Sequence, residues 1–179
     1  MKELTAKQFE EILKKEGINR DELQDLAVKA LIDKKKKVAT AESCTGGLVS
    51  KRITEVSGAS SVFECGVCSY ANRIKNKLLG VNQHTLDTVG AVSKETAEQM
   101  ATGVMKLADA DFGVATTGIA GPTGGTDEKP VGLVYIAACD KKCTEVVKAK
   151  LWDAKPLERD EIRKISSDIA LYLLLRKIV

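Results

Sequence analysis

Two glycine-rich segments of the chain contain hydroxyl side chains that could do chemistry. The first, Thr40–Gly47 (TAESCTGG), follows a short apolar stretch and precedes a helical pattern. Ser43 or Thr45 could act there as a nucleophile, because a strand–turn–helix connection exposes the hydroxyl that it carries. Gly46 and Gly47 would let a ligand approach backbone N–H groups that can hold an oxyanion or a phosphate. The alternative is that Ser43 or Thr45 only caps the helix.

The second segment runs from Gly118 to Pro130 and contains four glycines and two prolines. It follows a predicted strand that ends at Thr117, so it lies at the carboxyl edge of the sheet, where α/β proteins bind ligands. It lacks the Lys-Ser/Thr ending of a phosphate-binding P-loop and does not open a helix. Two interpretations remain, a ligand-binding loop and a tight connection between two strands.

A serine nucleophile needs a base, and the chain contains one histidine, His84. This count excludes most Ser-His-Asp triads and most histidine-rich metal sites. A lysine can serve as the base where burial lowers its pKa toward neutrality. Lys75 follows a predicted strand end, and Arg73 is a nearby cation that would lower the pKa of Lys75 further. The competing interpretation of Lys75 is a solvated lysine on a helix surface.

The five cysteines raise the question of a metal site. Cys65 and Cys68, together with Cys139 and Cys143, could supply four thiolates to zinc. However, Cys65 and Cys68 lie in a strand pattern, where residues three apart point to opposite faces. We therefore expect buried, reduced thiols and neither a metal nor another cofactor.

Composition limits the classes of function. The chain has 179 residues and a net charge of +3, and aromatic residues make up 4%. Such a charge and so few aromatics argue against a nucleic-acid binder. The lysine run 34–37 is either a phosphate or nucleic-acid contact or a solvated helix end, where cations suit the helix dipole. No apolar run approaches the roughly 20 residues that a membrane span needs. The charged first residues, without a secretory signal, predict a cytoplasmic protein.

The elements that must position these residues alternate between helix and strand. This order predicts an α/β fold, a three-layer α/β/α sandwich with a mixed sheet, plus N-terminal helices. Thr5 is expected to cap the first helix and Gly17 to end it. We predict helices within residues 1–36, from Gly47 to about residue 56, and over residues 72–79, 93–108 and 157–177. Strands are predicted over residues 38–41, 62–70, 111–117, 131–139 and 143–151.

Five segments together give the chain a family resemblance. They are TAESCTGGL (40–48), residues 70–80 with their Leu-Leu-Gly ending, GAVS (90–93), TGIAGP (117–122) and KPVG (129–132). In this order and at these spacings they resemble the CinA C-terminal domain family, which includes the stand-alone nicotinamide-nucleotide amidases. The resemblance implies one amidase domain over residues 21–179, preceded by an N-terminal helical extension, 1–20. Larger members of this family carry an additional molybdopterin-binding-like domain. We expect this chain to lack that domain.

The resemblance implies hydrolysis of nicotinamide mononucleotide to nicotinate mononucleotide and ammonia, in pyridine nucleotide salvage. The family is a group of Ser–Lys amidases that work without a metal. Its nucleophile corresponds to Ser43, its base to Lys75 and its active-site tyrosine to Tyr70. A departure is visible at Cys65, where the family usually has arginine, but no catalytic position is lost.

Substrate-binding positions follow from the same resemblance. The threonine of the glycine loop corresponds to Thr117, and Arg159 near the start of the last helix would bind the substrate phosphate. The other residues expected to contact substrate are Thr45, Gly46, Gly47, Gly118 and Gly121. The expected partner is the small nucleotide substrate, with no nucleic acid and no membrane, and we expect a homo-oligomer.

Two other functions remain open at this point. One is a catalytically silent nucleotide-binding module of the same fold. The other is a DNA-associated factor, which the competence and damage part of the family's name suggests but which the small net charge argues against. Release of ammonia from nicotinamide mononucleotide would distinguish an enzyme from a binding module.

Overall fold

A computed structural model describes residues 2–152 and 157–179 of the chain. Within these ranges the chain forms six strands and seven α-helices. The strands are β1 (Lys2–Thr5), β2 (Val38–Glu42), β3 (Phe63–Cys68), β4 (Phe112–Gly118), β5 (Leu133–Cys139) and β6 (Thr144–Lys150). The helices are α1 (Ala6–Glu16), α2 (Leu23–Lys34), α3 (Leu48–Thr54), α4 (Asn72–Leu79), α5 (Gln83–Thr88), α6 (Lys94–Leu107) and α7 (Arg159–Ile178).

One mixed sheet contains all six strands, in the order β1-β6-β5-β4-β2-β3. Strand β2 lies between β4 and β3 and runs parallel to both. Strand β5 runs antiparallel to β4 and to β6, while β1 is parallel to β6. The carboxyl ends of β2, β3 and β4 therefore meet at one edge of the sheet.

Helices cover both faces of the sheet, so the expected three-layer α/β/α sandwich is confirmed. Helix α6 packs on β2, β4, β5 and β6, with α4 packed on its outer side. Helix α7 packs on β4 and β5 from the opposite face, where it also contacts α2 and α3. Two hydrophobic clusters correspond to these two faces, because alternate side chains of each central strand point to opposite sides.

The N-terminal segment differs in part from its prediction. Only helices were predicted within residues 1–36, but residues 2–5 form β1, an edge strand paired with β6. A strand of four residues is too short for its alternation to stand out against the helical pattern that follows. Thr5 caps α1 as expected, within a capping box with Gln8, and Gly17 ends the helix in a left-handed conformation.

The same segment contributes to the core of the protein. Leu4, Phe9 and Leu13 are buried in the cluster that also contains α7. The ring of Phe9 meets that of Tyr172 edge-on, with centroids 5.6 Å apart. The division expected between residues 1–20 and 21–179 stays a prediction.

Other differences are small. Helix α5 was not predicted, because six residues carry little periodicity; Asn82 caps it by accepting from the N–H of His84. The remaining elements lie within a few residues of their predicted bounds. Over residues 2–152 and 157–179 no helix is both long and apolar enough to cross a membrane.

Candidate active site

The candidate site lies at the edge where β2, β3 and β4 end. The N–H of Ser43, the first residue after β2, donates to the carbonyl of Thr116 on β4 at 2.9 Å. The N–H of Ser69, the first residue after β3, donates to the carbonyl of Glu42 at 2.8 Å. These two bonds extend the parallel pairing by one residue and fix the start of the turn that carries Ser43.

Ser43 and Lys75 face each other at this edge. The Nζ of Lys75 lies 3.1 Å from the Oγ of Ser43. The same amine donates to the carbonyl of Ser69 and, at 3.3 Å, to that of Tyr70. Helix α4 begins just after β3, so Lys75 can extend back across the strand end to the β2 turn. The structure thus brings together the predicted nucleophile and the predicted base.

Lys75 is buried completely, which is unusual for a lysine. Burial lowers the pKa of Lys75 from its ordinary value to about 8, and the nearby Cys44 opposes this shift without reversing it. Three oxygens lie near the amine, but within the described residues it forms no salt bridge with a carboxylate. Arg73 was expected to help lower this pKa, but it is exposed, and the cause is desolvation.

Glu42 is a buried carboxylate at the centre of the Ser43 turn. Its Oε2 accepts from the N–H groups of Gly47 and Val49, at 2.9 and 3.1 Å. Its Oε1 accepts from the N–H of Ser50 at 2.8 Å and from the Ser50 hydroxyl at 2.7 Å. Sequence reasoning gave Glu42 no role, although a carboxylate just before a helix N-terminus is the signal that could have identified it.

This carboxylate, and not the hydroxyl of Ser43 or Thr45, accepts from the amides of Val49 and Ser50 in the first turn of α3, while the N–H of Leu48 donates to the carbonyl of Thr45. The N-cap residue is Gly47, in a left-handed conformation with no side-chain cap. The interpretation of Ser43 or Thr45 as a simple helix cap is therefore wrong. The hydroxyl of Ser43 is left to interact with Lys75.

The side chain of Thr45 lies inside the protein and not toward a substrate. Its hydroxyl is fully buried and donates to Glu42 at 2.7 Å. The hydroxyl of Thr116 on β4 meets it at 2.7 Å. The predicted contact of Thr45 with substrate can therefore involve its backbone but not its hydroxyl.

Two backbone amides of the turn lie next to Ser43 in the chain. Among the described residues, the N–H groups of Cys44 and Thr45 donate to no oxygen, but both interact with the buried sulfur of Cys44. Both directly follow Ser43, so they are candidate donors to an oxyanion formed on the carbonyl that Ser43 attacks.

Gly46 and Gly47 shape the turn as the sequence predicts. Both have positive φ, 61° and 95°, which favours glycine. A Cβ on Gly46 would lie 3.1 Å from the hydroxyl oxygen of Tyr70 and 3.6 Å from the Nη2 of Arg163. The absent side chain therefore lets Tyr70 lie over the turn. Tyr70 is 62% exposed, so its ring borders the site on the solvent side.

Thr117 and Gly118 lie at the end of β4 beside this turn. Thr117 is buried, and its hydroxyl donates to the carbonyl of Ala91 at 2.7 Å, which ties the GAVS segment to the sheet. A Cβ on Gly118 would lie 2.5 Å from the carbonyl oxygen of Leu133, so this glycine permits close pairing of β4 with β5. Both residues support the site edge, and their contact with substrate stays a prediction.

Gly121, on the loop between β4 and β5, forms a second pair with Arg159. The Nη1 of Arg159, the first residue of α7, donates to the carbonyl of Gly121 at 2.6 Å. Within the described residues no hydrogen bond joins Arg159 to Ser43, Lys75 or Tyr70. The structure thus places Arg159 beside the loop, and a guanidinium has four further N–H donors.

Sequence reasoning missed Arg163, one turn further along α7. Its Nη2 donates to the carbonyl of Thr45 at 3.0 Å, and its Nη1 pairs with Asp160 at 3.1 Å. Its Nε is buried and has no hydrogen-bond partner among the described residues. The signal was its spacing of four from Arg159, which puts both guanidinium groups on one side of the helix.

The cysteines do not assemble into a metal site. In the parts of the chain that the structure describes, no three His, Cys, Asp or Glu side chains are grouped to hold a metal ion. Cys44 and Cys139 are buried, Cys65 is half-buried, and Cys68 and Cys143 are exposed. The expectation of buried thiols thus fails for Cys68 and Cys143, because one ends an edge strand and the other lies at a hairpin turn.

Comparison with known proteins finds a matching family model and relatives that are similar in sequence. The CinA C-terminal domain family model matches residues 20–178. A CinA-like protein of Endomicrobium trichonymphae is 48% identical over 163 residues, which are 91% of this chain and 37% of that protein. A putative competence-damage inducible protein of Thermoanaerobacter sp. (strain X514) is 58% identical over 120 residues, 67% of this chain and 29% of that protein. The chain thus spans about a third of the length of these curated relatives.

Solved structures share the fold over nearly their full length. The competence/damage inducible protein CihA from Agrobacterium tumefaciens superposes with a TM-score of 0.83 at 41% identity, covering 88% of this chain and 94% of that one. A CinA superfamily protein from Klebsiella pneumoniae gives a TM-score of 0.82 at 29% identity, with 89% and 98% covered. The chain belongs to the CinA C-terminal domain family.

Proposed function

We propose that the chain is a nicotinamide-nucleotide amidase that hydrolyses the carboxamide of nicotinamide mononucleotide by a Ser–Lys mechanism. The observation that carries the proposal is the approach of the buried Lys75 amine to the Ser43 hydroxyl, 3.1 Å away. A lysine with a pKa of about 8 is partly neutral near pH 7, whereas a solvated lysine is almost wholly charged. Only the neutral amine can accept a proton from a serine.

Acylation begins when Ser43 attacks the amide carbon. Lys75 accepts the hydroxyl proton as the new C–O bond forms, and the amide oxygen becomes an oxyanion. The N–H groups of Cys44 and Thr45 stabilise that oxyanion, and each such donor contributes about 3 kcal/mol in comparable sites. Lys75 then passes its proton to the leaving nitrogen, which departs as ammonia.

Deacylation reverses the roles. A water molecule attacks the nicotinoyl ester on Ser43 while Lys75 accepts its proton. The ester bond to Ser43 then breaks, the serine oxygen recovers a proton from Lys75, and nicotinate mononucleotide leaves. The products are one carboxylate and one ammonia for each water consumed, so neither step needs an oxidant or a metal.

The substrate assignment comes from the family resemblance and is supported by cations near the site. Arg159 and Arg163 lie one helical turn apart at the start of α7, and Arg163 contacts the turn that carries Ser43. A guanidinium can bind a phosphate bidentately, as a nucleotide substrate needs. The exposed ring of Tyr70 offers a surface beside Ser43 for the pyridine.

Ammonia release tests this proposal. The purified chain is incubated with nicotinamide mononucleotide, its nucleoside and the dinucleotide, with Ser43→Ala as the blank. We expect release from the mononucleotide that depends on Ser43. If no pyridine amide releases ammonia, yet the mononucleotide binds in a direct titration, the chain is a silent nucleotide-binding module and the proposal fails.

A further inference from the structure

Cys143 lies at the end of the sheet opposite to Ser43. It is at the turn between β5 and β6. Strand β5 runs antiparallel to β4, and Cys139, the last residue of β5, pairs with Gly113 near the start of β4. The turn therefore lies next to the amino end of β4. The N–H of Cys143 donates to the Oδ1 of Asp140 at 2.8 Å, which fixes the turn.

A half-buried lysine contacts the exposed thiol of Cys143. The Nζ of Lys177, near the end of α7, lies 2.9 Å from the Sγ and 3.0 Å from the carbonyl oxygen of the same cysteine. The Lys177 side chain is only 9% exposed, so its ammonium is held in place rather than moving in solvent. An ammonium at this distance stabilises negative charge on sulfur, which is the reactive form of a cysteine.

Charges around this pair favour the cationic form of Lys177. Burial pulls the pKa of Lys177 down, but the Cys143 thiol and the Asp140 carboxylate outweigh burial and raise it above its usual value. Asp140 opposes a thiolate, yet its Oδ1 accepts two turn amides and its Oδ2 lies 3.6 Å from Lys177. The ammonium is therefore nearer to the sulfur than to that carboxylate oxygen.

The other four thiols have less favourable surroundings. Burial raises the pKa of Cys44 to about 12 and that of Cys139 to about 11. Cys68 is exposed, but partial burial and the charge of Glu42 raise its pKa as well. Cys65 is half-buried on β3. Of the two exposed cysteines, Cys143 is the one with a cation against its sulfur.

A basic cleft lies beside the turn that carries Cys143 and is lined in part by Lys177. It has a volume of about 290 Å³ and is lined by Phe112 and six charged residues, which are Lys36, Lys141, Lys142, Lys177, Asp111 and Asp140. Four lysines against two aspartates leave an excess of positive charge. Lys36 pairs with Asp111 at 2.9 Å, and Lys141 and Lys142 lie on the same turn as Cys143. This cleft would attract a small molecule that carries carboxylates.

We propose that Cys143, activated by Lys177, is an S-thiolation site that reacts with small carboxylate-bearing disulfides. The thiolate of Cys143 attacks one sulfur of the disulfide, a new S–S bond forms, and the old S–S bond breaks. Its electron pair leaves on the departing thiolate, so Cys143 is oxidised and the departing half of the disulfide is reduced. This site is independent of the proposed amidase activity.

The test uses two disulfides of opposite character, dithiobis(nitrobenzoate), which is anionic, and dithiodipyridine, which is neutral. The native chain should show a fast phase of thiol release that Cys143→Ser removes, with the modified peptide located by mass spectrometry. Lys177→Gln should slow this phase about tenfold, whereas Lys177→Arg, which keeps the charge, should retain most of it. Circular dichroism verifies the fold of each variant.

The dependence of the reaction rates on ionic strength tests the proposal with the native chain alone. Raising the ionic strength should slow the anionic probe at Cys143 and leave the neutral probe nearly unchanged, because the cleft charges are screened. The double variant Lys141→Gln/Lys142→Gln should reduce the preference for the anionic probe. A fast phase that persists in Cys143→Ser, or no loss of rate in folded Lys177→Gln, would overturn the proposal. If Lys177→Gln does not fold, equal salt dependence of the two probes overturns it instead.

Discussion

The amine of Lys75 lies 3.1 Å from the hydroxyl of Ser43, although 32 residues separate the two in the chain. Parallel pairing of β2 with β3 brings them together, because Glu42 is in register with Cys68 and both residues follow at the same sheet edge. Carbonyls of Ser69 and Tyr70 hold the amine on its other side. The geometry therefore depends on backbone pairing rather than on side-chain packing alone.

Ser43→Ala should abolish ammonia release while the fold persists. The substitution removes the attacking oxygen, so we expect kcat to fall at least about 1000-fold, as for other nucleophile deletions. Loss of one hydrogen bond with Lys75 should change the free energy of unfolding by only about 1 kcal/mol. Steady-state kinetics and urea unfolding measure the two effects. Ser57→Ala, at an exposed loop serine, is the matched control, and an active Ser43→Ala would refute the nucleophile assignment.

Lys75→Arg should lose turnover although it keeps a positive charge. A guanidinium stays protonated in this pH range, so it cannot accept the serine proton, and general-base loss costs about 100-fold or more in kcat. Lys77→Arg makes the same change at an exposed position of α4 and should retain activity. If Lys75→Arg remains active while its fold is intact, the base must be sought elsewhere, with Tyr70 the next candidate.

The rate should rise with pH through the pKa of Lys75. Burial lowers that pKa to about 8, and the fraction of neutral amine increases as the pH passes this value. We therefore expect kcat/KM to increase about tenfold for each pH unit below 8 and to level off above it. A profile from pH 6 to 9.5 measures this. A plateau already reached near pH 6 would contradict a lysine base.

Most of the fold could be predicted from the hydrophobic patterns of the sequence. Long periodic segments such as α6 and α7 and the apolar strands β2 and β4 lie close to where they were predicted, because burial on one face enforces the spacing. The misses are short elements, β1 and α5, whose four and six residues carry too little pattern. Pairing with β6 stabilises β1. The local sequence of residues 2–5 does not indicate this pairing, because β6 lies far away in the chain.

The site was harder to predict because its residues play roles that a motif does not specify. Thr45 and Glu42 belong to the same quoted segment, yet Thr45 is turned inward and Glu42 holds the amides of α3. Which hydroxyl faces the lysine depends on the left-handed turn at Gly46 and Gly47. Arg163 contacts the Thr45 carbonyl only because α7 crosses near the end of β2, which is a tertiary relationship.

Arg159→Ala should weaken binding of the nucleotide but not of its nucleoside. One N–H of Arg159 donates to Gly121, and among the described residues no other hydrogen bond holds the guanidinium, so its remaining N–H groups are expected to meet the substrate phosphate. A hydrogen-bonded charge pair contributes about 2 kcal/mol, so KM for nicotinamide mononucleotide should rise about 30-fold. Values of kcat/KM for mononucleotide and nucleoside measure the difference. Arg73→Ala, at an exposed arginine of α4, is the control. Equal losses on both substrates would show that Arg159 acts only by holding the loop.

Glu42→Gln should destabilise the protein more than the loss of a surface charge does. Oε1 accepts two hydrogen bonds from Ser50, and Oε2 accepts from Thr45, Gly47 and Val49. A glutamine NH₂ in either position faces at least one backbone N–H donor, so we expect a loss of about 3 kcal/mol in the free energy of unfolding. Urea denaturation measures this loss. Glu55→Gln removes only an exposed pair with Lys51 and should cost less than about 1 kcal/mol. Equal stability of the two variants would show that Glu42 does not hold the turn.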